Sequence, residues 1–96
     1  MSRNALLRLR LYVAGEAQNS VRAVANLTAL IRSRLKDRCS IEIVDVFREP
    51  KRALADGVFM TPTLVKLAPA PSQRIVGTLS VTQPVLQALG LEPEAA

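Results

Sequence analysis

The side chains able to do chemistry in this 96-residue chain are few, and most of them are cations. Cys39 is the only cysteine and there is no histidine. A lone thiol forms no internal disulfide, and a Cys/His zinc cluster, a histidine-based triad and a general-base imidazole are all excluded. What remains is 13 lysines and arginines against 8 acids, unevenly placed. Arg3, Arg8, Arg10, Arg22, Arg32, Arg34, Lys36 and Arg38 are matched only by Glu16 and Asp37 in that stretch, and the rest of the chain is close to neutral. A one-sided positive field steers an acidic partner, either nucleic acid or an acidic protein surface. Nucleic-acid modules of this size add stacking aromatics, and only Tyr12, Phe47 and Phe59 are available. Two readings stand: a solvated basic face, and, less favoured, a nucleic-acid-binding module built on the basic N-terminal half.

Length allows one domain spanning 1–96, with its ordered core at about 5–90. No apolar run is long enough for a membrane span and no signal-type block opens the chain, so a cytoplasmic domain is expected. Alternation of Leu7, Leu9, Leu11 and Val13 with Arg8, Arg10 and Tyr12 predicts a strand. A loop over 14–18 follows, and Asn19 or Ser20 can cap a helix running to about residue 37. Its apolar stripe is Val21, Val24, Leu27, Thr28, Ile31 and Leu35, with Arg22, Asn26, Ser33 and Lys36 opposite. The β-branched stretch 40–46 predicts a second strand, parallel to the first because a helix separates them. Pro50 opens a short helix to residue 56, ended by Gly57. A third strand over 60–67, a proline turn at 68–72 and a return strand over 74–79 come next. Ser80 with Gln83 forms a capping box for a last helix ending at Gly90, and the tail 92–96 is expected to fray.

The order βαβαββα, with Thr61-Pro62 opening a strand that enters a hairpin, resembles the thioredoxin fold: α/β, with a mixed four-stranded sheet. The resemblance implies a cis Pro62, where the plain alternative is a trans proline at a strand's first residue. The positions of the redox thiols in that fold correspond here to Ala17 and Ser20, so thiol–disulfide exchange is ruled out. Cys39 lies at the far end of the long helix and reads as a small, partly buried hydrophobe.

Five pieces in order, Leu11-Tyr12-Val13-Ala14-Gly15, Asn19-Ser20-Val21-Arg22-Ala23, Ile43-Val44-Asp45-Val46, Thr61-Pro62-Thr63-Leu64 and Arg74-Ile75-Val76-Gly77 with Leu79-Ser80, are similar to the KaiB family of circadian-clock proteins. The match runs from about residue 6 to about 90, and a free-standing protein rather than a kinase sensor domain is expected. The resemblance implies no enzymatic activity and no cofactor or metal. It implies an adaptor that docks on a KaiC-type RecA-like ATPase, with a KaiA-like protein or a histidine kinase as further partners. Docking uses the first helix and the second-strand edge, where Asn19, Arg22 and Glu42 stand, while Gly15, Asp45, Pro62 and Gly77 are structural. Glu42 replaces a basic residue of the family and Ala5 another, and the family's acidic C-terminal extension is missing, which points to a divergent KaiC-like ATPase. The resemblance also implies a rearranged resting fold, a homo-tetramer in which 50–90 repack. Ala88 and Gly90 favour helix over 81–89, so the thioredoxin-like form is expected without a partner. A redox-inactive domain that binds peptide or ligand beside Pro62 is the remaining alternative.

Overall fold

The computed structural model describes residues 6–91; Arg3, Ala5 and the tail 92–96 lie outside them. In order, the elements are β1 (Leu7–Val13), α1 (Gln18–Leu30), β2 (Cys39–Asp45), α2 (Pro50–Ala55), β3 (Thr63–Ala68), β4 (Gln73–Val76) and α3 (Thr82–Leu89). The sheet runs β2-β1-β3-β4; β1 pairs parallel with β2 and antiparallel with β3, which pairs antiparallel with β4. This is the βαβαββα order the chain's periodicities predict and the mixed sheet the thioredoxin resemblance implies.

Central β1 is covered on both sides. Leu7, Leu9, Leu11 and Val13 pack with Leu64 under Ala23, Leu27 and Leu35 and under Val85 and Leu89 of α3. On the opposite side Tyr12, Val44 and Val65 pack with Ala53 of α2 and Val58. The period of two thus sorts one strand into two cores.

Several local expectations fail, each for a physical reason. α1 starts at Gln18 after Ala17, with no side-chain cap, because the Ser20 hydroxyl accepts the Ala14 N–H at 3.0 Å. Neither Asn19 nor Ser20 is the cap. The buried stripe is Ser20, Ala23, Leu27 and Leu35, while Val21 and Thr28 are exposed. Small side chains let α1 approach the sheet, and that rotates the apolar stripe away from Val21. Asn26 is half-buried rather than solvated, donating to the Thr78 carbonyl at 2.8 Å. The long helix does not stay α: Ile31–Leu35 is a π turn and Lys36–Arg38 a 3-10 turn.

β3 begins at Thr63, three residues later than expected, after a cis Thr61–Pro62 bond. The Ala68–Pro69 and Ala70–Pro71 bonds of the hairpin are also cis. β4 stops at Val76 because Gly77, at φ 122°, turns its N–H onto the Pro62 carbonyl at 2.9 Å. α3 starts at Thr82 after Val81 with no side-chain cap; the Ser80 hydroxyl instead accepts from Thr78 Oγ1. There is no capping box. Its other end behaves as expected: Gly90 is left-handed at φ 77°. Buried Lys66 brings its ammonium to within 3.8 Å of where a Gly90 Cβ would stand, a cation at a carbonyl-rich helix end.

Tyr12 is fully buried, and its hydroxyl donates to an Asp56 carboxylate oxygen just past α2 and lies 3.2 Å from the Arg52 carbonyl. Arg10 reaches the same carboxylate at 2.9 Å. Arg74 of β4 donates to the Asp56 and Gly57 carbonyls. The Tyr12 hydrogen bond, opposed by desolvation and helped by Arg10, holds the Asp56 carboxyl below the usual range. Stability from a depressed carboxyl is present above its unfolded value of about 3.9 and is lost as pH falls through the lower folded value. Asp56→Asn is expected to cost about 1.5–3 kcal/mol at neutral pH, measured by urea unfolding. The gap from wild type should narrow as pH drops below about 4.

Candidate functional site

One end of the fold, where β1 and β2 finish and α1 begins, is open to solvent and held rigid from below. Asp45, the last residue of β2, accepts the N–H groups of Gly15 at 3.2 Å and Phe47 at 2.9 Å. The Val46 N–H donates to the Val13 carbonyl at 2.8 Å, extending the parallel ladder. Gly15 has φ 53°, and a Cβ there would stand 3.4 Å from the Phe47 ring. The β1–α1 loop is therefore strapped to the end of β2, which fixes the start of α1.

On this frame Asn19 and Arg22 stand exposed, one helical turn apart. Arg22 makes no ion pair with any described residue. Beside them Val21 and Phe47 are exposed, Phe47 by 75%. Val21 also lines a depression of 310 Å³ with Gly15, Ser20, Val24 and Ala25. β2 is an edge strand, and Ile41 and Ile43 share the α1 side with their partners Leu9 and Leu11 yet remain exposed. The surface joins an unpaired guanidinium to apolar side chains and a strand edge, a composition suited to a protein partner.

Glu42 does not join Asn19 and Arg22. It projects from the opposite face of β2, where Arg52 Nη1 lies at 2.7 Å and Arg10 Nε at 2.9 Å. Those hydrogen bonds, Arg52 first and Arg10 second, hold its carboxyl down at about 2. The charge of Glu42 is thus neutralised by its own chain. Pro62 is buried and Gly77 is hydrogen-bonded to it, so both belong to the frame. Ser20 anchors a loop, Ala17 precedes α1, and half-buried Cys39 has a thiol pushed up by burial. Among the described residues no group of His, Cys, Asp or Glu is placed to hold a metal, and no helix is long and apolar enough to cross a membrane. Sequence reasoning missed Ile43 and Phe47; their signal is apolar residues at an edge strand and in the loop after it.

The KaiB domain matches residues 10–91. The chain belongs to the KaiB family. It is 42% identical over 86 residues to the circadian clock protein KaiB3 of Synechocystis sp. (strain PCC 6803), covering 90% of this chain and 84% of that one. It is 41% identical over 83 residues to the circadian clock oscillator protein KaiB of Thermosynechococcus vestitus, covering 86% and 77%. The fold is shared with the N-terminal domain of Synechococcus elongatus SasA, at TM-score 0.75 and 19% identity over 100% of this chain and 94% of that one. Chloroplastic thioredoxin z aligns at TM-score 0.75 and 17% identity over 90% and 77%. The architecture of this KaiB-family chain is therefore thioredoxin-like.

The strap beneath the surface is directly testable. Gly15→Ala forces a left-handed side chain, costing about 1–2 kcal/mol. Asp45→Ala removes the shared acceptor and should cost about 1.5–3 kcal/mol. Thermal melts should show both losses, whereas Asn19→Ala should stay within about 0.5 kcal/mol of wild type.

Proposed function

We propose that this KaiB-family protein is a non-enzymatic adaptor in circadian-clock or related signalling, which docks on a KaiC-type RecA-like ATPase through the start of α1 and the edge of β2. Its named relatives are clock proteins, which supports the clock setting. The single observation that carries the docking surface is Arg22, exposed and unpaired among the described residues, beside Val21 and Phe47 on a strapped-down helix end. An exposed guanidinium with no ion pair of its own breaks none on meeting an acidic surface, and the adjoining apolar side chains supply buried area. A KaiA-like protein or a histidine kinase are further partners in this reading.

Glu42 acts in this reading through its clamp. Arg10 and Arg52 hold it on the α2 side of β2, so it presents no bare anion to a partner docked on the α1 side. That permits docking although the family's basic residue is replaced.

Size-exclusion co-elution with the host's KaiC-like ATPase, with ATP and with ADP, checks the reading. Wild type should co-elute under one nucleotide, and Arg22→Glu should weaken binding about tenfold or more through like-charge repulsion. No co-elution under either nucleotide removes the proposal.

A further inference from the structure

The far end of α1 carries a second charged surface. Through the π and 3-10 turns run Arg32, Arg34, Lys36 and Arg38, with Asp37 the only acid among them. Arg32, Lys36 and Arg38 are exposed. Lys36, at φ 48° and ψ −117°, turns the backbone out of the helix. Residues Ser33 to Arg38 line an open depression of 440 Å³ at this turn. Cys39 follows and pairs with Leu7, while Ser40 pairs with exposed Arg8, which stands at the same end of the sheet but on its α2 face.

Among the described residues Asp37 is the one acid in this segment, and it enters no ion pair. Glu42, Glu49 and Asp56 are bonded to Arg10 or Arg52 on the α2 side. Among the described residues, Arg8, Arg32, Lys36 and Arg38 enter no ion pair; Arg38 donates to the Arg34 carbonyl at 3.2 Å. Carbonyls at a helix C-terminus favour a cation in the last turn. That does not account for the depression.

We propose that this basic end of α1, with Arg32, Lys36 and Arg38, is a second docking surface that takes an acidic segment of a protein partner. Its chemistry favours carboxylates over nucleic acid. Phe47 follows β2, and Phe59 precedes β3, whose first residue lies opposite Tyr12 near the end of β1. Both exposed rings therefore sit at the other end of the sheet, leaving no platform on which a base could stack. Guanidinium forks match carboxylate oxygens in pairs, and the Lys36 ammonium adds a mobile third cation. The surface lies at the opposite end of α1 from Arg22, so the chain can bridge two partners. It stands whether or not an ATPase docks at the first.

Fluorescence anisotropy with the full chain tests this, using a labelled glutamate-rich peptide, its glutamine counterpart and a short DNA duplex. The glutamate peptide should bind preferentially at low salt and weaken as salt rises. Lys36→Glu/Arg38→Glu should lower its affinity about tenfold or more, and Arg22→Glu should change it by less than about twofold. Circular dichroism checks folding, and the milder Lys36→Gln/Arg38→Gln pair should also lose affinity. Equal binding of the two peptides, an equal loss from Arg22→Glu, tighter binding of DNA than of peptide, or unchanged affinity in the glutamine pair overturns the proposal.

Discussion

A phenol with no solvent exposure has to find its hydrogen-bond partner inside the protein, and in this chain that partner is Asp56. Tyr12 sits on the strand that both neighbours pair with, so its hydroxyl cannot move to water without lifting β1 from the core. An unsatisfied buried hydroxyl costs about 1–3 kcal/mol, a large part of the margin of a small domain. Satisfying it ties α2 to the sheet through Asp56, and Arg74 ties β4 to the same point. Burial raises the phenol's pKa, and the neighbouring carboxylate raises it further, so the hydroxyl stays a donor. The consequence for function is indirect: with the α2 side locked, both ends of α1 are left on the surface.

Much of this was legible in the sequence, and what was not follows a pattern. The seven residues of β1 are readable because their alternation is strict and the arginines mark the second face. The parallel β2 is readable from the helix-length separation. Caps were misread because Ser20 and Ser80 have suitable side chains that are engaged elsewhere, with Ala14 and Thr78. Strand ends slipped where Pro62 and Gly77 set the backbone. The buried face of α1 was misjudged because close packing rewards Ser20 and Ala23, residues that a hydrophobicity pattern ranks below Val21.

At the site, the exposure of Arg22 agrees with its place opposite the predicted apolar stripe, whereas Asn19, read as a cap candidate, is exposed and caps nothing. The clamp on Glu42 is not legible in the sequence: Arg10 is 32 positions away, and Arg52 meets it only because α2 folds beneath the sheet. A residue read as a charge reversal on the docking face is, in three dimensions, the centre of an intramolecular network on the other face. The strap from Asp45 to Gly15 was likewise visible only as a family pattern, since its hydrogen bond joins residues 30 positions apart.

α1 thus presents Arg22 near its start, and the π and 3-10 turns after it present Lys36, on a thioredoxin-like frame that lacks that fold's thiols. Amide chemical-shift mapping of the isotope-labelled protein, titrated with the host's KaiC-like ATPase, tests the account most directly. The account predicts shifts concentrated over residues 15–24 and 41–47, with α3 and β4 unaffected. Shifts confined to α3 and β4, or none with either ATP or ADP, would contradict it.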